Sequence, residues 1–220
     1  MILVHANIDK EFDFEKNPIQ ELVVENSNEY YLLTTELYQQ ECGESGEWVL
    51  SFNNDIKDIS KNVLIIHNFY ELDCTGKKVE SLITSCVLNE LKTNDYTDLI
   101  SQLNVNFFAI NDKITENIDL PIVQTKELTY EDFIKFMGYK IEKQEDILSK
   151  IITYIEVFVK IKNIKLVVIF NITAILTDEQ ISLLIKQFEY MQVSVLFLNR
   201  QGFLTQIIPK TIVDNDLCVI

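Results

Sequence analysis

Apolar residues in this chain fall into short continuous runs that alternate with stretches of helical spacing. Runs of this length with few polar interruptions are typical of strands buried on both faces. Buried strands are predicted at NVLIIHNF (62–69), KLVVIFN (165–171) and VSVLFLNR (193–200). Further strands are predicted at QELVVEN (20–26) and EWVLSF (47–52), and a last one at DLCVI (216–220).

Between these runs, apolar residues recur every three or four positions, which predicts helices. Thr129 with Asp132, and Thr177 with Gln180, have the spacing of capping boxes, and Gly138 is placed to end a helix. The stretch from Asn104 to Lys126 is less regular and is interrupted by Pro121. Helices are therefore predicted at 28–40, 76–102, 129–137, 144–162 and 177–191.

Strands that alternate with helices predict an α/β fold with a largely parallel sheet. The helical middle of the chain looks like an insertion between the two halves of that fold. The predicted domains are a discontinuous α/β head at 1–75 and 150–220, and a mainly helical leg at 76–149.

Charge and composition narrow the functional classes. The formal net charge of −15 argues against a polyanionic partner for the chain as a whole. The distribution is uneven, however: residues 1–62 carry 13 acids and 4 lysines, whereas residues 126–165 carry 8 lysines and 7 acids. Arg200 is the one arginine, so contacts with nucleic acid would be made by lysines to phosphates and would be largely blind to sequence.

The sequence lacks the features of a membrane span, a signal peptide and a cysteine framework, and these bear on where the protein resides. The apolar stretch without a charged residue at 166–177 is too short to span a bilayer. The first residues have neither a basic region nor an adequate apolar run for a signal peptide. The four cysteines are scattered without C-x-x-C spacing, which argues against a disulfide framework or a zinc site. We expect a cytoplasmic protein.

The strand at 62–69 leads to Gly76 and Lys77 ahead of a helix, which is how phosphate-binding loops are built. The motif G-x-x-x-x-G-K-[ST] needs its first Gly for a tight turn and its last hydroxyl for magnesium. Glu71 stands at the first Gly, and Lys78 replaces the hydroxyl residue. Asn171 ends the strand where a magnesium-binding Asp is required. The sequence thus has the architecture of a nucleotide-binding fold without its chemistry.

The segments FIKFMGYKIE (133–142), KLVVIFNITAILTDEQISLL (165–184) and VSVLFLNR (193–200) together resemble Csn-two, the accessory protein of type II-A CRISPR adaptation modules. The resemblance continues more weakly through ELVVENSNEYYLLTTELYQQ (21–40) and NVLIIHNFYELD (62–73). It rests on the order and spacing of these segments across most of the chain.

Membership of that family would imply a degenerate P-loop fold with an α/β head and a helical leg. It would also imply a homotetrameric ring without known catalytic activity, whose basic inner face holds double-stranded DNA at free ends. The partners would be the CRISPR integrase and the effector nuclease, during spacer acquisition. A basic lumen inside an acidic exterior would reconcile DNA binding with the net charge.

Candidate DNA-binding residues follow from the resemblance and from the local charge. Lys135 and Lys140 fall on positions where the family also tends to carry lysine. Lys143 and Lys150 are added from the same basic region on spacing alone, and Lys77 and Lys78 are added because they lie at the mouth of the leg. A solvated helix face is the alternative explanation for each of them.

Calcium binding is also implied by the resemblance, because the family has a dense acidic cluster before the segment that matches 128–138. Here that place holds dispersed acids with apolar or basic residues between them. Calcium needs six to eight oxygen ligands. The candidate ligands are Asp112, Glu116, Asp119 and Glu127.

Two other functional classes stay open. One is a nucleotide-binding protein or NTPase that uses an atypical loop at Gly76-Lys77-Lys78. The other is a protein–protein scaffold of the adaptation complex that does not contact DNA. No serine has visible partners for a catalytic triad, and His5 and His67 are predicted to be hydrogen-bonded core residues.

Overall fold

The computed structural model describes residues 1–118, 122, 126–204 and 208–220. It divides into two compact units, an α/β unit of Met1–Cys74 with Gln144–Ile220, and a helical unit of Thr75–Lys143. The boundaries predicted from the sequence lie at 75/76 and 149/150. No helix in the described part of the chain is both long and apolar enough to cross a membrane.

The secondary structure of the described residues consists of short strands and seven α-helices. The strands are β1 (Ile2–His5), β2 (Ile8–Asp13), β3 (Ile19–Val24), β4 (Trp48–Phe52), β5 (Asp55–Lys57), β6 (Val63–Ile66), β7 (Leu166–Phe170), β8 (Ser194–Asn199) and β9 (Lys210–Val213). The helices are α1 (Ser27–Glu41), α2 (Ile59–Asn62), α3 (Lys77–Thr93), α4 (Thr97–Asn117), α5 (Tyr130–Met137), α6 (Ile147–Lys162) and α7 (Asp178–Met191).

A five-stranded parallel sheet forms the centre of the α/β unit, in the order β6-β7-β8-β3-β9. Every residue of β3, β6 and β7 is buried. The continuous apolar runs of β6 and β7 predict this, whereas β3 also buries the polar residues Gln20 and Glu21. The predicted fold class, α/β with a largely parallel sheet, is confirmed. The P-loop-like character of the head stays a prediction.

The two faces of this sheet have different neighbours. On one face, Leu22 and Leu198 join a core with Leu33 of α1 and Trp48 of β4. The adjacent residue Phe197 has the opposite orientation, since side chains alternate along a strand. Its ring lies 6.2 Å from that of Phe188 in α7, and α7 packs against α6.

The structure corrects the predicted elements in four places. A second, antiparallel sheet in the order β2-β1-β4-β5 was missed, and EWVLSF belongs to it. The stretch from Asn104 is not irregular, because α4 continues to Asn117. Helix α6 begins at Ile147 rather than at 144, since the Asp146 carboxylate accepts the Ser149 N–H as its N-cap. The last strand is β9, and DLCVI contributes only an isolated bridge between Val219 and Val213.

Candidate nucleic-acid interface

The six candidate lysines are divided between the two units. Lys77 and Lys78 open α3, Lys135 lies in α5, and Lys140 and Lys143 follow α5, so five of the six belong to the helical unit. These five are exposed. The sixth, Lys150, is partly buried in α6 of the α/β unit, where its carbonyl accepts from the Cys74 Sγ at 3.5 Å.

Helix α5 presents Lys135 on a rigid support. Its N-terminus has the predicted capping box, in which Thr129 and Asp132 bond to each other's backbone amides. Gly138 ends the helix in the left-handed region with a φ of 61°, a conformation that a residue without Cβ adopts at little cost. Ile134 is buried and Lys135 beside it is exposed, so the helix is anchored by one side chain while the next points outward.

The carboxyl group of Asp132, which caps α5, has a lowered pKa. Hydrogen bonds from the Thr129 hydroxyl and backbone lower the pKa of Asp132, and the positive charge of Lys135 lowers it further. Asp132 and Lys135 are three residues apart on one helix, yet no ion pair joins them. The carboxylate is instead committed to the cap, so it does not pair with the Lys135 ammonium group.

Lys77 and Lys78 occupy the first turn of α3, directly after the N-cap Gly76. A cation there is opposed by the positive end of the helix dipole, and Glu80 in the same turn offsets this only in part. Helix stability therefore does not explain two lysines at this position.

Ion pairing separates the candidate lysines from half of the other lysines of the chain. Pairs with described acids, with N–O distances of 2.5–3.6 Å, involve Lys16, Lys57, Lys61, Lys92, Lys160 and Lys210. Within the described residues, the candidates Lys77, Lys135, Lys140, Lys143 and Lys150 have no such acid partner. Their positive charge is thus available to a phosphate.

The residues considered for a phosphate-binding loop do not form one. Gly76 and Lys77 belong to the helical unit, whereas β6 belongs to the α/β unit, and a 3₁₀ turn at Phe69–Glu71 lies between them. At the end of β7, Asn171 has a φ of 49°, and its Oδ1 accepts the Arg200 N–H at 2.9 Å. The amide oxygen at the expected magnesium position is therefore committed to the backbone of a neighbouring strand.

The candidate calcium ligands are not brought together. Asp112 and Glu116 lie one turn apart on α4 and are exposed. Glu127 lines a groove of about 420 Å³ beside Phe107 and Ile114, and neither Asp112 nor Glu116 lines it. Asp119 lies outside the described residues. Among those that are described, no three His, Cys, Asp or Glu side chains could hold a metal ion together, so the acids seen here do not fit calcium.

Helix α4 carries a functional surface that the sequence analysis missed. None of its residues is buried. Five exposed apolar side chains, spaced four, four, three and four residues apart, form one stripe along the helix, and we call them the α4 seam: Leu99, Leu103, Phe107, Ile110 and Ile114. This is the spacing of one apolar face of a helix, and it was visible in the sequence.

The two histidines differ from each other. His5 is buried, its Nε2 lies 2.7 Å from Glu36 Oε2, and its Nδ1 accepts the Asn7 N–H, as expected for a core residue. His67 was also predicted to be in the core, but it is exposed and contacts the edge of the Tyr38 ring. The strand β6 ends at Ile66, so His67 is no longer part of the buried sheet.

Comparisons with known proteins agree with this fold. Stu0660 of Streptococcus thermophilus has a crystal structure that matches with a TM-score of 0.55 and 14% identity, over 92% of this chain and 69% of that one. This likeness concerns the fold alone. No curated protein matches the sequence. A family model, described as CRISPR-associated protein (Cas_Csn2), matches residues 40–217. The match covers most of both units, and the chain belongs to the Cas_Csn2 family of CRISPR-associated proteins.

Proposed function

We propose that this protein binds double-stranded DNA at free ends, without sequence preference, as a homotetrameric ring that supports CRISPR spacer acquisition. Its membership of a CRISPR-associated family assigns it to adaptation. The partners would be the integrase and the effector nuclease of the same module. The DNA contacts, the ring and the partners are the parts that require experiment.

The observation that carries the DNA proposal is the set of exposed lysines without acidic partners in the helical unit. This unit has 8 lysines and 11 acids, a net charge of −3, whereas the α/β unit has 11 cations and 23 acids, a net charge of −12. DNA phosphates are repelled least by the helical unit. Lysine is a point charge without the planar fork that reads bases, so the contacts would not depend on sequence.

Assembly is the condition under which so acidic a chain can hold DNA. One copy offers only a few free lysines, and several copies with these lysines directed inward would offer a continuous basic surface. The α4 seam supports association because an exposed apolar stripe of this spacing is stabilised by packing against a like stripe. We assign the seam to contacts between copies.

We further propose that the protein is not an enzyme. Two observations support this: Lys77 lies on a helix outside the α/β unit, and the Asn171 amide oxygen is bound to the backbone of Arg200. Calcium is not needed for the proposed contacts, since the lysines bind phosphate directly.

Charge reversal in the helical unit tests the proposal. The double variant Lys135→Glu/Lys140→Glu should nearly abolish binding of a blunt linear duplex, measured by fluorescence anisotropy. Both side chains are exposed, so the mass of the assembly should stay that of the wild type.

The matched control is Lys10→Glu/Lys16→Glu in the α/β unit. Both residues are exposed, and Lys16 is already paired with Asp13 at 3.0 Å, so little affinity should be lost. Equal losses from the two double variants would show that the lysines of the helical unit are only a solvated surface. No DNA binding by the wild type at low salt would favour the scaffold function instead.

A further inference from the structure

Arg200 lies at the carboxyl end of β8 and connects three elements of the α/β unit. Its backbone N–H donates to Asn171 Oδ1, which follows β7, at 2.9 Å. Its Nη1 donates to the Oγ of Ser27, the first residue of α1, at 2.5 Å. The guanidinium group is thereby held in the space between the ends of β8 and β3.

The charge of Arg200 is not balanced by any acid that the structure describes. No described carboxylate lies within ion-pair distance of it. Its Nε is shielded from solvent and has no hydrogen-bond partner. Burial raises the pKa of the nearby Tyr30 to about 12, although the charge of Arg200 opposes this, so the phenol is neutral at pH 7. A partly buried cation without a carboxylate at ion-pair distance is stabilised by an anion.

The strand order of the sheet also places Arg200 where α/β sheets commonly bind ligands. The chain leaves β3 through α1 toward β6, at one edge of the parallel sheet, and leaves β8 toward β9, at the other edge. β3 and β8 are neighbours, so the two connections run in opposite directions, each passing over the other strand. In open α/β sheets, ligands bind at the carboxyl ends of the strands at such a point.

The backbone at the start of α1 does not supply the site. The side chain of Asn26 already accepts the N–H groups of Asn28 and Glu29. The nearby carboxylates are bound elsewhere, Glu25 to the Asn215 amide at 3.3 Å and Glu29 to the Asn7 amide at 3.5 Å. The donors directed at the crevice are therefore side chains, and they are few.

We propose that Arg200, with the Ser27 hydroxyl and the Asn171 amide, binds one phosphate group in this crevice. Arginine presents donors in a planar fork that fits phosphate oxygens. The crevice has neither the glycine loop nor the lysine that a triphosphate requires. The site is separate from the lysines of the helical unit and does not depend on DNA binding.

The wild-type chain allows a direct test, because Arg200 is its one arginine. Its Nε–Hε group gives a single arginine side-chain signal in a ¹H–¹⁵N correlation spectrum. Titration with sodium phosphate should shift this signal along a saturating curve, while sodium chloride at the same ionic strength should not. A signal that moves equally in both salts, or in neither, would overturn the proposal.

Thermal unfolding supplies the second measurement. Phosphate well above its Kd should raise the Tm by about 2–4 °C more in the wild type than in Arg200→Gln. Any general stabilisation by excluded phosphate acts on both proteins and cancels in this difference. Lys165→Gln, which removes an exposed cation of the same unit, should keep the full response.

The affinity for adenosine monophosphate, compared with that for inorganic phosphate, shows whether the site binds the phosphate group alone. An affinity close to that of inorganic phosphate, lost in Arg200→Gln, supports recognition of the phosphate group. An affinity more than tenfold higher would mean that the base or the ribose is bound as well, and the proposal of a simple phosphate site would be wrong.

Discussion

The α/β unit and the helical unit differ in how their phenylalanines are buried and how their lysines are paired. In the α/β unit, phenylalanines such as Phe188 and Phe197 are fully buried, and Lys16 and Lys210 are paired with acids. In the helical unit, Phe107 is 47% exposed and Lys135 has no described acid partner. The first unit encloses its phenylalanines in a large core and pairs several of its lysines with acids. The second unit leaves an apolar helix face and several lysines exposed.

The largest expected effect is the difference in unfolding free energy between two phenylalanine-to-alanine variants, one in each unit. Phe197→Ala should lower the free energy of unfolding by about 3–5 kcal/mol, because it leaves a cavity in a closed core. Phe107→Ala should cost the monomer less than about 1 kcal/mol, since its side chain is half exposed. Urea unfolding followed by circular dichroism, at a concentration low enough for the monomer, measures both.

The fluorescence of Trp48, the one tryptophan, reports the α/β unit alone in the same experiment. Phe107→Ala should leave its transition unchanged. If Phe107→Ala destabilised the monomer as much as Phe197→Ala does, the helical unit would have a closed core of its own, and the comparison between the units would fail.

The next effect concerns assembly. Ile110→Asp places a charge in the middle of the α4 seam and should convert the tetramer into smaller species at micromolar concentration, as measured by light scattering. Leu183→Asp is the matched control, because Leu183 is 52% exposed on α7 and Ile110 is 55% exposed on α4. It should leave the mass unchanged. A wild type that is monomeric with and without calcium would contradict the ring.

A smaller, local effect tests how the segment after α4 is held. The Asn104 side chain accepts the Leu128 N–H at 2.6 Å and donates to the Leu128 carbonyl at 3.2 Å. Losing both bonds in Asn104→Ala should make the Leu128 amide exchange about thirtyfold faster, since each bond contributes on the order of 1 kcal/mol. Asn94→Ala removes only a bond to Glu90 and should leave this amide unchanged.

The sequence predicted what depends on local chemistry. Both capping boxes were recovered, because a cap needs only residues three positions apart. The buried strands were recovered because each is a continuous apolar run. The antiparallel sheet was missed because β1 is short and pairs with β4, more than forty residues away.

The errors in the helical unit have a different cause. Polar residues such as Asn104 and Asn111 weaken the helical pattern of α4, and Pro121 suggested an earlier break. Asn104 is polar because it binds the backbone of Leu128, a role that no local pattern contains. Likewise, the crevice at Arg200 exists only because the topology brings the ends of β3 and β8 together.

Binding of DNA as a function of salt, on linear and closed-circular duplexes of one sequence, tests the central claim most directly. Each phosphate neutralised contributes roughly −0.9 to the slope of log affinity against log salt, so four subunits with one or two lysines each predict a slope of about −4 to −7. We expect this slope on linear DNA of any sequence and much weaker binding to closed circles. Equal affinity for linear and circular DNA, or a slope near zero, would contradict the account.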